Sequence, residues 1–269
     1  MLPYLALAAA AAPARPGVSA VVWLALLALV VTRQYWLGPI MVRLTNRHHC
    51  TYRYQPVTAG RPLPPAVANF LGASSAALAR AGFTPAPPFF QTDGTGKSSG
   101  YVQVFEHPQH GDVATVLCVL RPHQPGAAPV TVVGFTAEFE DGSRQATGNS
   151  PLPAATPPKP GDEATRFPGE RDAERLYRLH RAIVQRRGGR QRLTKIGDPV
   201  AYLQRMQQLS QERMLSSGWY VREGDVLRPT WRGAFLAVSR HLWPWRQQRE
   251  AREELFRRKL LGDLGLARG

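Results

Sequence analysis

The sequence predicts an α+β protein with an N-terminal transmembrane helix, then a helix plus a small antiparallel β-meander, and a basic, mainly helical C-terminal region with one β-hairpin. Three observations predict it. Residues 17–32 carry no charged side chain. Between residues 101 and 147, short apolar or alternating runs recur, separated by turn residues. Beyond residue 170 the apolar positions switch to helical spacing and arginine becomes abundant. The expected division is a membrane anchor over 1–45, an α+β domain over 56–149, a Pro-rich linker over 150–169 and a basic helical region with a hairpin over 170–269.

With 269 residues the chain can hold one large domain or two small ones beside an anchor. A hydrophobic fraction of 43% excludes wholesale disorder, while 24 prolines and 24 glycines imply long irregular connections. The formal net charge of +15 is unevenly placed: residues 1–165 carry 11 Lys and Arg against 8 Asp and Glu, residues 166–269 carry 23 against 11. The C-terminal part therefore favours anionic partners, either a lipid face or nucleic acid. Cys50 lies in an Arg/His-rich stretch and Cys118 in an apolar run, so both are expected to be free thiols, which fits a reducing compartment.

Residues 1–12 are apolar but no Lys or Arg precedes them, so the charged start of a secretory signal is missing. Val18, Trp23, Leu27 and Val31 mark the expected membrane-spanning segment. At 16 residues, 17–32 is slightly short of the ~20 that cross a ~30 Å hydrocarbon layer. Arg33, Arg43, Arg47 and Arg53 follow it and only Arg15 precedes it, which by the positive-inside rule places the rest of the chain in the cytoplasm. A buried core helix is the alternative.

Pro64 and Pro65 open the first soluble helix, in which Val67, Phe70, Leu71, Leu78 and Ala81 recur at helical spacing; Gly82 suits the position after its end. Strands are expected over 101–106, 113–120 and 130–140, the last with Phe135, Ala137 and Phe139 alternating against Thr136, Glu138 and Glu140. Asp141-Gly142 marks a hairpin turn into a returning strand over 144–147.

Three groups of residues in this domain could carry chemistry. Gly96-Lys97-Ser98 ends like a phosphate-binding loop, but the first glycine of that pattern would fall on Gln91, and the residues after Ser98 spell a strand. Without a helix N-terminus no array of backbone N–H groups faces a phosphate. His107, His110 and Asp112, with His123 in the next loop, supply ligand types for zinc, although hairpin loops accept histidine freely. Glu138 and Glu140 share a strand face, as paired catalytic carboxylates do and as any solvated strand face does. No catalytic residue and no cofactor are assigned.

Six prolines between 151 and 168 exclude helix and central strand from the linker. A helix is expected over 170–187 with Leu176, Tyr177, His180, Ile183 and Val184 as its apolar stripe, His180 having a hydrogen-bonded packing role. Asp198-Pro199 caps a second helix over 200–217. Residues 213–235 then run helix, Gly218, short strand, Glu-Gly-Asp turn, short strand, Thr230, helix. This segment resembles the recognition-helix end and wing of winged-helix domains, over about twenty residues. The resemblance implies a groove-reading face with Arg205, Gln207, Gln208, Gln211 and Arg213 as candidate contacts to nucleic acid. The ten residues before Asp198 are longer than the tight turn of a helix-turn-helix.

Thr230 caps a further helix with Trp231, Phe235, Val238 and Leu242 on a narrow stripe, interrupted by Pro244. Trp243, Trp245 and Arg246 beside that proline are candidate contacts to a membrane interface or an anionic partner, with rim tryptophans of a core helix as the alternative. Oppositely charged i,i+4 pairs mark 246–261 as a solvated helix. The expected function is that of a single-pass membrane protein serving as a non-catalytic, membrane-tethered binding or adaptor module. Its expected partners are the lipid bilayer and either anionic lipid or a protein. A membrane-tethered nucleic-acid binder and a small metal-dependent enzyme are the alternatives, and no small-molecule ligand is identified.

Overall fold

The computed structural model describes residues 20–58, 63–93, 99–120, 128–151, 159–242 and 244–265; before Tyr35, side chains are described at Val22, Trp23, Leu29, Thr32 and Arg33. The chain begins with α1 (Ala20–Thr45) and a two-residue strand β1 (His48–His49). Next come β2 (Tyr52–Pro56), α2 (Pro65–Arg80), β3 (Thr84–Pro85) and β4 (Phe89–Asp93). The expected meander comes next as β5 (Ser99–Glu106), β6 (Val113–Leu120), β7 (Val130–Glu138) and β8 (Arg144–Gly148).

The meander is the middle of a larger sheet in the order β2-β4-β5-β6-β7-β8-β9, with β3 pairing beside β5 and β9 spanning Glu163–Arg166. All neighbours are antiparallel except β8 and β9. The Pro-rich stretch thus contains a strand, but an edge strand lying between Pro160 and Pro168, where no ladder bond is lost to proline. Residues 152–158 lie outside the described residues.

Side-chain alternation gives the large sheet two covered faces. Tyr101, Phe105, Ala114, Val116 and Phe135 point to one face, where α2 and α3 (Ala173–Arg187) bury them with Leu78, Leu176 and Ile183. Val102, Val104 and Val113 point to the other, where Leu203 of α4 (Pro199–Ser216) covers them. The ten residues ahead of Asp198 therefore carry the chain around the sheet, from one face to the other. They also bond to it on the way: Arg192 N–H donates to the Glu138 carbonyl, and Ile196 N–H to Glu106 Oε2 at 2.7 Å.

The cap expected at Asp198 forms, and α3 starts at Ala173 rather than 170, with Asp172 as its N-cap. Asp172 accepts N–H bonds from Glu174 and Arg175 at the start of α3, and Asp198 accepts that of Val200 at the start of α4.

A second sheet joins the two ends of the chain. Strands β10 (Tyr220–Glu223) and β11 (Val226–Pro229) form the expected hairpin, and β1 adds to its far edge with His48 opposite Leu227. The hairpin leads to α5 (Trp231–Ser239), capped by Thr230 Oγ1, and then to α6 (Trp245–Asp263). Along α5 lies α1, close enough at Gly38 that a Cβ there would stand 2.9 Å from Val238 Cγ1. Arg43 ties the crossing down: it donates to the Pro229 carbonyl at 2.6 Å, lies 5.0 Å over the Trp231 ring, and its own carbonyl accepts from Arg228.

The expectation of a transmembrane helix is corrected here. Among the described residues, no helix is long and apolar enough to cross a membrane. The physical reason lies in how α1 divides. Its uncharged part, 20–32, rises only about 20 Å at ~1.5 Å per residue, against the ~30 Å of a hydrocarbon layer. From Arg33 onward the helix leans on α5 and β11. Val18 lies outside the described residues, as do the side chains of Leu27 and Val31; Trp23 is exposed.

The close approach of α5 to the hairpin gives a direct test. A Cβ at Gly233 would collide with the Trp219 carbonyl, which no rotamer can relieve. Gly233→Ala is expected to lower the chemical-denaturation midpoint by about 1–3 kcal/mol of stability; an unchanged midpoint would contradict that contact.

Candidate functional site

The histidine-bearing loop between β5 and β6 folds onto α3 and builds a buried polar cluster rather than an open site. Asp112, with no exposed surface, accepts the Tyr177 hydroxyl at 2.9 Å, Arg181 Nη1 at 3.0 Å and Gln191 Nε2 at 2.5 Å. His180, equally buried, places Nε2 3.6 Å from Asp112 Oδ1, too long for a strong hydrogen bond but close enough for charge to act. Its Nδ1 lies 3.0 Å from Thr147 Oγ1, the packing role expected for it.

His107 and His110 stack at 4.4 Å between ring centroids. Nδ1 of His107 accepts the His110 N–H, and the ring also bonds the Ala81 backbone, so neither ring nitrogen is left to bind a metal. Among the described residues, no group of three or more His, Cys, Asp or Glu side chains could hold a metal ion. His123 lies outside the described residues, as does the Gly96-Lys97-Ser98 turn; strand β5 begins directly after it.

The electrostatics fit a structural cluster. Burial alone would push the Asp112 carboxyl up, but the neighbouring His180 imidazole, the Arg181 guanidinium and the Tyr177 hydroxyl outweigh it and hold the carboxyl below its ordinary value. Burial pushes His107 down, with His110 adding to it, and burial with Arg181 does the same to His110. The Tyr177 hydroxyl is pushed up by burial and by the Asp112 carboxylate.

Glu138 lies across the sheet from these imidazoles, since its neighbour Ala137 packs on Val184 of α3. It pairs with Arg144 at 3.2 Å, whereas Glu140, past the end of β7, pairs with Arg190 at 3.1 Å. The two carboxylates therefore face separate guanidinium partners, not a shared proton.

On α4, much of the face implied by the winged-helix resemblance is turned inward. Gln207 and Gln211 both donate to the Cys50 carbonyl, at 2.8 and 2.6 Å, and Arg213 pairs with Asp162 at 2.5 Å. Arg205 and Gln208 remain exposed.

A site the sequence did not disclose lies where α1, α5 and the start of α6 meet. Thr32, Tyr35 and Trp36 of α1 form one wall of a groove of about 440 Å³; Phe235, Leu236, Val238 and Ser239 of α5 form the other. Trp245 closes one end and meets the Tyr35 ring edge-on at 5.8 Å. Among the described residues, no charged one lines it. Trp36, Phe235 and Trp245 are each about half exposed or more, so the groove opens onto apolar surface. Of the expected interface residues, Trp245 belongs to it. Arg246 pairs outward with Glu250, and Trp243 lies outside the described residues. The stripe at 231, 235 and 238 was legible; that α1 would come to lie beside it was not.

Comparison with protein-family models, with curated proteins and with solved structures gives no match.

The polar cluster predicts a two-stage acid sensitivity. His107 and His110 have lowered folded-state pKa values, so their neutral forms stabilise the fold above about pH 6.5, and this is lost as pH falls toward those lowered values. Asp112, also lowered, contributes above about pH 4 and loses its contribution below that. Denaturation followed from pH 8 to 3 is expected to show both falls. His107→Gln with His110→Gln should flatten the first only, leaving the part due to buried His48, whose pKa is also lowered. Asp112→Ala should cost about 3–5 kcal/mol at pH 7 by leaving Arg181 and its neighbours unpaired. A pH-independent midpoint would contradict this account.

Proposed function

We propose that the protein is a non-catalytic, membrane-tethered binding module, seated on a bilayer by α1, α5 and the start of α6. One observation carries the reading: α1 exposes large apolar side chains along one side from Val22 to Leu44, interrupted there by the exposed Arg33. Val22, Leu29, Trp36, Leu37, Ile40 and Leu44 fall within one arc at 100° per residue, and all are exposed. The face spans about 33 Å, and Trp231, Phe235 and Trp245 extend it sideways. So many exposed apolar side chains on one helix and its neighbour point to a partner.

Lipid suits this surface better than a protein groove does. Its aromatic residues are mainly tryptophans, and Arg33, Arg47 and Arg232 are exposed on the same helices or just after them, the composition of a bilayer interface. The N-terminal half of α1 enters the apolar layer and its C-terminal half meets the headgroups, so the helix tethers without having to cross in its described part. Arg33, Arg43 and Arg47 favour the cytoplasmic face for the sheet domain.

The wing-like order β1-β11-β10 behind α4 is the one feature that favours nucleic acid instead. Both readings meet in one experiment on the full chain. Expressed in bacteria, the protein is expected to resist alkaline carbonate extraction and, once purified, to float with phosphatidylcholine/phosphatidylglycerol vesicles. Ile40→Glu with Leu44→Glu should weaken vesicle binding about tenfold or more, from the loss of two exposed apolar anchors. Complete release by carbonate together with failure to float overturns the membrane reading. Salt-sensitive DNA or RNA binding lost in Arg205→Ala would then favour the alternative.

A further inference from the structure

We infer that β1 is a pH-sensitive clasp: neutral His48 holds the chain leaving α1 against β11, and a proton on its imidazole releases it. The inference does not depend on the membrane reading. Strand β1 is only two residues long, with His48 opposite Leu227 and His49 opposite Val226; the next tie is the Cys50 N–H, which donates to the Asp225 carbonyl at 2.8 Å. So short a ladder depends on what its side chains pack against. Leu227 is 1% exposed, and the His48 ring meets the Tyr220 ring edge-on, with 5.4 Å between centroids. The ring's Nε2 is buried and has no hydrogen-bond partner.

That orphaned nitrogen sets the direction of the response. An imidazolium carries both a positive charge and an N–H at Nε2, and neither finds an acceptor there. The surrounding charges do not compensate. Burial, then the neighbouring His49, hold His48 below its ordinary value. On β10, Arg222 shares a row with Leu227 and His48, while the exposed Glu223 pairs with Arg228 of β11 at 3.2 Å. Asp225, in the turn, acts with Arg222 on Cys50, and Arg240, at the end of α5, acts on the Tyr220 hydroxyl. From α1, Arg43 donates to the Pro229 carbonyl; from α4, the Gln207 and Gln211 amides end on the Cys50 carbonyl. The folded form thus holds this proton less tightly than the unfolded one, so the clasp contributes above about pH 6.5 and is lost as pH falls toward the lowered value. Its release leaves β11 with an open edge. Helix α1 stays on α5 through the contact at Gly38 and through Arg43, which makes the opening local.

The test is hydrogen exchange read by mass spectrometry on the full chain in non-ionic detergent, from pH 8 to 5, with exchange times scaled to equal intrinsic rates. Peptides over 46–52 and 225–229 are expected to open as pH falls below about 6.5, by up to about tenfold per pH unit for one proton. His48→Phe keeps a ring against Tyr220 and cannot take a proton, so its β1 should stay protected throughout. His107→Gln with His110→Gln should open there like the parent. Equal protection of the parent at pH 8 and 5, or the same acid opening in His48→Phe, overturns the inference. Proton NMR of the parent's imidazoles decides the matter even where the phenylalanine fails to pair. The His48 signal, identified by its loss in His48→Gln, is expected to titrate below about pH 6.5, and a midpoint at or above that value overturns the inference.

Discussion

A carboxylate with no exposure to water must be met by donors from the protein, and at Asp112 those donors come from two separate parts of the chain. Tyr177 and Arg181, one turn apart on α3, reach it from one side; Gln191, beyond the end of that helix, reaches it from another. The demand of one side chain thus fixes where α3 lies on the sheet and where the chain runs after leaving it. Gly111, next to Asp112, makes the second contact possible: with φ +67 and the backbone of Arg192 to Thr194 pressed against it, it has no room for a Cβ. From there the chain can pass to the opposite face and begin α4.

Much of the fold was legible because local chemistry agreed with it. The caps at Asp198 and Thr230, the Asp141-Gly142 turn and the alternation through Phe135 and Ala137 each describe their own neighbourhood. Long-range partners were not legible. Nothing near Tyr52 or Phe89 announces that β2 and β4 extend the sheet, and nothing near His107 announces Ala81 and Tyr177 above it. The transmembrane expectation failed for a related reason. From Arg33 onward α1 packs on α5, a partner about 200 residues away that nothing near α1 announces. The groove was missed on the same ground, since its two walls are about 200 residues apart in the sequence.

The strong positive charge reads differently once its partners are visible. Arg144, Arg166, Arg181, Arg186 and Arg213 each meet a carboxylate, and Arg187 donates to the Arg144 and Gly161 carbonyls. These guanidiniums join α3, α4 and α6 to the sheet. Other guanidiniums stay exposed, among them Arg33, Arg47, Arg53, Arg178, Arg192, Arg205, Arg232 and Arg252, and they are spread over several elements and loops. A stripe along one helix, the usual footprint on a duplex, is not what they resemble.

The pairing of β1 with β11 sets a schedule for the chain as it is made. His48 waits for Leu227, about 180 residues later. At ~5–20 residues per second that interval lasts roughly 10–35 s, and α5, the helix on which α1 rests, emerges later still. Throughout it the inner face of α1, with Tyr35, Gly38 and Val42, has no protein to lean on, while the large sheet can already form around its own hairpins. On the membrane reading, lipid is the first surface α1 meets, and α5 later displaces some of it.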